Sequence, residues 1–206
     1  MAAGKRMTGE ERRGRILDAA LDVFAEKGFH GARSREIARR AGISETLVFR
    51  HFTNKERLFE EAMNHLFGGH RVADEIEAHL AETDDLGVFA GIARHMLEHT
   101  REDPRILRLH LFQFLDRMHG PRGGDGGFVG SGDLERFLAD YIARRVEQGA
   151  FHAADPGLSA KLFLYWIFMA IADRDLGLFA SPLDGDDTQL AETLAHRFLH
   201  GITRPD

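Results

Sequence analysis

The chain has 206 residues, 43% hydrophobic and 29% charged, with a formal net charge of -6, a balance that suits a globular protein of one or two domains rather than a disordered or fibrous one. It contains no cysteine, which excludes disulfides and thiolate metal sites and fits a reducing, cytoplasmic setting. The N-terminus lacks an apolar signal core, and the longest apolar run, Leu162 to Ala172, falls short of the roughly 20 residues a membrane span needs, so no membrane partner is expected.

Apolar residues recur at three- and four-residue spacing throughout and strand-like alternation is absent, so the expected fold is all-α. Nine helices are predicted, over 9–27, 35–41, 45–51, 54–80, 85–101, 104–118, 133–149, 157–177 and 188–202. Thr8-Gly9-Glu10-Glu11 and Thr53-Asn54-Lys55-Glu56 read as capping boxes, a hydroxyl followed three residues on by a carboxylate. Asp103-Pro104 and Asp155-Pro156 place an acceptor ahead of a proline in the first turn, and Gly28, Gly149 and Gly201 follow amphipathic runs as helix-ending glycines do. Gly120 to Gly132, with seven glycines, lacks the Gly-Lys-Ser/Thr ending of a phosphate loop and reads as a linker. No cofactor signature is found.

The first three helices carry the functional signal. Ile16, Leu17, Ala20, Leu21, Val23 and Phe24 form an inward face on the first helix. The second is short, with Ser34 as its expected cap and Ile37, Ala38 and Ala41 facing inward. Gly42 then turns the chain, Ile43 tucks back, and Ser44 caps a third helix whose buried stripe is Val48 and Phe52. Two short helices joined by a glycine turn form a helix-turn-helix, whose second member enters the major groove of DNA. Glu45, Thr46 and Leu47, at the start of the reading helix, suit base edges: Glu45 accepts from a cytosine amino group, Thr46 bonds a base or meets a thymine methyl, and Leu47 makes apolar contact. Ser34 and Ser44 at helix N-termini, Arg33 and Arg35, and Arg50, His51 and Lys55 suit phosphates, with Lys5, Arg6, Arg12, Arg13 and Arg15 as an arm along the backbone. Charge agrees. Residues 1–57 hold 13 Lys/Arg against 8 Asp/Glu, whereas the remainder holds 14 against 25, a basic head on an acidic body.

Gly28-Phe29-His30-Gly31-Ala32-Arg33-Ser34-Arg35-Glu36-Ile37-Ala38, Ala41-Gly42-Ile43-Ser44 and Phe49-Arg50-His51-Phe52-Thr53-Asn54-Lys55-Glu56 together resemble the signature of the tetracycline-repressor (TetR) family, without a gap from about residue 12 to 62. The resemblance implies a helix-turn-helix domain at 1–57 and a helical effector-binding and dimerisation domain at 58–206. It places Ser34, Ser44, Arg50, His51 and Lys55 at phosphates and Glu45, Thr46 and Leu47 at bases of double-stranded DNA. Three positions depart from the family pattern. Ala32 and Arg33 stand where Thr or Ser is frequent, Thr46 where Gly is frequent, and Phe49 where Tyr is frequent, so the usual hydroxyl-to-phosphate bond is lost at that DNA-facing position.

Beyond residue 58 no motif is recognised. Phe163, Trp166, Ile167, Ala170 and Ile171 line the helix at 157–177, and Leu190, Leu194, Phe198 and Leu199 line the last; such stripes read as core. The resemblance implies a homodimer through these two helices, a repressor action on a palindromic operator, and an effector pocket in the middle helices. Met63, Phe67, Met96, Phe112, Phe114, Trp166 and Met169, joined by His95 and His99, are its candidate lining and suit an apolar or aromatic small molecule. Its lever is the helix starting at Asn54. His95 and His99, four apart, also have the spacing of a metal-binding pair, which leaves a helical metal enzyme as the alternative. No third ligand or catalytic signature accompanies them, so no metal and no enzyme are expected.

Overall fold

A computed structural model describes residues 8–67, 72–119, 131–179 and 185–203. Ten helices lie among them: α1 (Gly9–Gly31), α2 (Ser34–Ala41), α3 (Glu45–His51), α4 (Lys55–Phe67), α5 (Val72–Glu82), α6 (Asp85–Glu102), α7 (Arg105–His119), α8 (Ser131–Glu147), α9 (Pro156–Leu176) and α10 (Asp187–Ile202). The only strand-like feature among the described residues is an isolated bridge between Phe151 and Thr203. Of the helix expected over 54–80, the described residues hold α4 and α5, and positions 68–71 lie outside the described residues. The expected linker at Gly120 to Gly132 lies outside the described residues up to position 130, and α8 begins at Ser131.

Local signals explain most boundaries. Thr8 and Glu11 form the reciprocal capping box, with the Glu11 amide donating to Thr8 Oγ1 (3.1 Å) and the Thr8 amide to Glu11 Oε2 (2.7 Å). Asp155 caps α9 by accepting from the Leu158 amide at 2.9 Å, with Pro156 in the first turn. Two expected caps are displaced by one residue. Arg33, not Ser34, is the N-cap of α2 and makes no side-chain cap bond, because Ser34 already has helical geometry. At α4 it is Asn54, not Thr53, whose side-chain oxygen accepts from the Arg57 amide (2.7 Å). Gly201 does not end α10, which runs through it to Ile202.

The chain divides into two compact units, 1–69 with 108–129, and 70–107 with 130–206. In the first, α1 packs on α2 and α4 around Ile16, Ala20, Val23 and Phe24, all shielded from solvent, with Ile37, Val48, Phe52 and Leu58 closing the core. Phe24, Phe29 and Phe59 form an aromatic triangle, with ring centroids 5.0 to 6.0 Å apart. In the second, α6 packs on α5 and α10, and α8 on α9. Phe89 is the hub, meeting Phe163 at 4.9 Å and Phe198 at 5.2 Å.

α1 is interrupted at Gly28, whose φ of 68° and ψ of 175° no side-chain-bearing residue adopts readily. A Cβ there would lie 2.8 Å from Cδ1 of Phe112 on α7. Beside it, Arg108 Nε donates to the Ala25 carbonyl at 3.0 Å. α7 residues from 108 onward are thus built into the same unit as α1.

α9 departs from its expected role. Phe163, Ile167, Ala170 and Ile171 are buried, but Trp166 is 44% exposed. It shares an outward stripe with Leu158, Leu162, Tyr165 and Met169, each about half exposed. The helix is apolar on all sides, and periodicity alone cannot say which side this chain covers. On α10, Phe198 and Leu199 are buried while Leu190 and Leu194 are half-buried.

Candidate nucleic-acid interface

α2 and α3 meet through a left-handed turn at Gly42, where φ is 72° and the amide reaches back to the Ala38 and Arg39 carbonyls. The Ile43 amide donates to the Ala38 carbonyl at 3.0 Å, fixing the exit direction. Ser44 then caps α3, accepting from the Leu47 amide at 3.3 Å. Val48 and Phe52 are buried, so helical geometry turns the opposite face of α3 outward. That face consists of Glu45, Thr46, Phe49 and Arg50, all exposed, with Leu47 and His51 half-buried at its flanks. The structure therefore brings Glu45, Thr46 and Phe49 together on one strip and turns Leu47 partly away.

Electrostatics separates the basic residues of the unit into two sets. Arg40 forms a two-pronged pair with Glu26 (2.8 and 2.9 Å), and Lys27 pairs with Glu36 (2.5 Å), which together tie α2 to α1. The hydrogen bond from Arg40 holds the Glu26 carboxyl below the usual range, and that from Lys27 does the same for Glu36. Arg13 stacks over Phe52, 4.8 Å from its centroid, and pairs with Glu61, while Arg57 pairs with Glu60 and Glu61. Arg33, Arg35, Arg39 and Arg50, all exposed, make no ion pair or side-chain hydrogen bond among the described residues. Cations left without carboxylates beside a reading helix are what a polyanion needs. Arg39 was not singled out from the sequence. Its signal was its place one turn after Arg35 on α2.

Arg13 does not belong to a backbone-following arm, since Phe52 and Glu61 engage it, and Lys5 and Arg6 lie outside the described residues. Lys55 is turned inward. Its Nζ donates to the carbonyls of Phe29 (2.9 Å) and Ala32 (3.2 Å) and sits 4.5 Å from the Phe29 ring centroid. In this arrangement it ties the start of α4 to the end of α1. Ser34, half-buried in the first turn of α2, stays near the exposed side of that helix start.

The candidate effector residues divide between the units. In the first, Met63 is wholly buried, the Phe67 ring stacks on His110 (5.8 Å), Phe112 packs at Gly28 and Phe114 is exposed. In the second, Met96 is half-buried and the rings of His95 and His99 stack at 5.8 Å, with His95 Nδ1 lying 2.7 Å from Glu75 Oε1. Trp166 and Met169 lie on the outward face of α9. Among the described residues no group of three or more His, Asp or Glu that could hold a metal is found. No helix among them is long and apolar enough to cross a membrane.

Comparison with known proteins agrees with this geometry. The family of bacterial regulatory proteins described as tetR matches residues 16–62. The transcriptional activator FasR of Mycolicibacterium smegmatis is 45% identical over 56 residues, a match covering 27% of this chain and 26% of FasR, so the chain spans only about a quarter of that relative. The transcriptional regulator BetI of Burkholderia lata is 25% identical over 197 residues, 96% of each chain. Among solved structures, the fatty acid degradation regulator FadR of Bacillus halodurans superposes with a TM-score of 0.68 at 18% identity, over 96% of this chain and 98% of that one, a likeness of fold. Taken with the helix-turn-helix at α2–α3 and its unpaired arginines, these matches identify residues 16–62 as the regulatory domain of the tetR family, in a chain whose full length is similar to helix-turn-helix transcriptional regulators and shares their fold.

Proposed function

We propose that this chain is a ligand-responsive, dimeric repressor that binds a palindromic operator with α3 in the major groove. The observation carrying this reading is the outward strip of α3, flanked by Arg33, Arg35, Arg39 and Arg50 while neighbouring cations are neutralised within the protein. Thr46 and Glu45 read bases; Ser44, Arg50 and the arginines of α2 hold phosphates, with Ser34, Leu47 and His51 at the margins. Lys55 acts by positioning α4, or reaches a phosphate by releasing the Phe29 and Ala32 carbonyls. Selection of random duplexes by the purified protein at two salt concentrations tests this; a palindromic consensus is expected, and indifference to sequence at both would overturn it. Arg50→Ala should weaken binding to every duplex and reduce the salt slope by about one unit, as the loss of one phosphate contact does. An unchanged slope removes Arg50 from the phosphate set.

The dimer rests on α9. Leu158, Leu162, Tyr165, Trp166 and Met169 form an apolar stripe three turns long, larger than the scattered apolar side chains of an ordinary surface. A second copy meeting it through α9 and α10 hides the stripe and sets the two reading helices to neighbouring turns of DNA, about 34–36 Å apart or a multiple of it. Replacing Leu162 and Trp166 together by glutamate should convert the dimer to a folded monomer in sedimentation, because both side chains are already exposed in one chain. A dimer persisting at micromolar concentration would place the interface elsewhere.

An apolar or aromatic effector preferring one spacing of the heads shifts the operator-binding population by its differential affinity for the two states. A ligand that raises thermal stability yet leaves operator affinity unchanged would contradict this. Repression needs only occupancy of the operator. Activation is the second reading, favoured by one observation: FasR, 45% identical over 56 residues, is named an activator. Transcript levels of neighbouring genes after deletion decide between them, rising for a repressor and falling for an activator.

A further inference from the structure

Within residues 8–67, Phe49 is the only large hydrophobic side chain in the exposed class, at 42%. It lies on α3 one turn after Glu45, and Thr46 and Arg50 share the same outward face. A benzyl ring has no donor or acceptor, so this position cannot bond a phosphate. The neighbouring Glu45 carboxylate, for which no partner is found among the described residues, would be repelled by one. The Glu45–Phe49 strip is therefore unsuited to the DNA backbone, although the arginines around it suit it well. Both residues do have natural counterparts on base edges. The thymine C5-methyl group is the one apolar feature of the major groove, and the cytosine amino group is a donor for a carboxylate.

We propose that Phe49 is a specificity residue that reads a thymine C5-methyl group, with Glu45 beside it accepting from a cytosine amino group. The inference rests on the operator-binding reading above and deepens it. Side chains one helical turn apart are about 5–6 Å from each other, and successive bases are about 3.4 Å apart, so the thymine and cytosine fall within two base steps in each half-site. Glu45 also discriminates against guanine there, whose groove edge offers only acceptors. Thr46 and Arg50, at the border of the strip, keep their hydrogen-bonding and phosphate roles.

Uracil differs from thymine only by the missing methyl group, so it isolates this contact. The test takes the consensus selected by the full-length protein and replaces its thymines by uracil, one symmetric pair at a time, at fixed salt. One pair should weaken binding by about tenfold, roughly three- to fivefold per buried methyl. In Phe49→Ala the ratio of thymine to uracil affinities at that pair should fall to about one, whatever the absolute affinity of the variant. A consensus whose thymines all tolerate uracil, or a Phe49→Ala protein that still distinguishes the two, overturns this proposal and leaves operator binding standing. Failure to select any consensus removes both.

Discussion

Asp187→Ala is expected to destabilise the second unit by about 3 kcal/mol, seen as a lower urea midpoint with an unchanged slope. The Asp187 carboxylate is nearly inaccessible, with 7% of its side chain exposed, and it joins three helix ends. Arg101, at the end of α6, donates from Nε (2.7 Å) and Nη2 (2.8 Å), and Arg174, at the end of α9, donates from Nη1 (2.9 Å). Arg174 is itself 11% exposed and also serves the Leu97 carbonyl at 3.2 Å. Removing the carboxylate leaves this buried guanidinium with Asp175 as its remaining counter-charge, which accepts from Nε at 2.6 Å, while Nη1 loses its charged acceptor, a loss that costs more than the Asp187 pair contributes while intact. Arg101 is half exposed and rehydrates, which keeps the figure at the low end of the range for buried pairs. Burial alone would raise the carboxyl's pKa, but hydrogen bonds and charge from Arg101 and Arg174 outweigh it and hold the pKa below the usual carboxylate value. A group whose folded pKa is depressed contributes stability above its unfolded pKa and loses it as the pH falls through the folded value. The acid limb of a stability curve should therefore be shallower in Asp187→Ala, since the variant has already lost that contribution. Equal midpoints for the two proteins at neutral pH would sink this account.

The second large effect is expected at Gly28. Gly28→Ala meets two penalties of different origin. The φ of 68° with ψ of 175° belongs to a region used almost only by glycine, which costs other residues about 1–3 kcal/mol. The new methyl carbon would also lie 2.8 Å from the Phe112 ring, and overpacking of this kind costs about 1–3 kcal/mol more. A total loss near 3 kcal/mol in the first unit is expected. The two causes separate in a double-mutant cycle. In a Phe112→Ala background the steric part disappears and the conformational part remains, so the cycle should show a coupling of about 1 kcal/mol or more. Strict additivity would mean that the backbone alone penalises the substitution.

The helix-turn-helix was legible in the sequence because its determinants are local. The Ser44 cap, the Gly42 turn and the Val48–Phe52 stripe each depend on residues within a few positions of one another. What the sequence hid depends on partners far along the chain. Arg39 and Arg40 are neighbours of the same type, and only the arrival of Glu26 from α1 separates a neutralised cation from an available one. Lys55 suits a phosphate by position, yet a long flexible side chain takes the acceptors nearest to it, here the carbonyls at the end of α1. The Ser34 and Thr53 caps missed by one residue because Ser, Thr and Asn all cap well, and the choice among neighbours is made by backbone angles. Trp166 was read as core because a periodic stripe reports that a face is apolar, not which molecule covers it.

The seating of Phe112 against Gly28 and of Arg108 on the Ala25 carbonyl bears on how this regulator can be re-engineered. The simplest chimera would join this head to a foreign helical body directly after α3 or α4. Here such a splice would discard part of the head's own packing, because the notch at Gly28 is shaped for a ring that arrives some eighty residues later. A transplant should carry the stretch from Arg108 to Leu115 along with α1–α4, or the recipient must offer a matching aromatic and guanidinium at the same places.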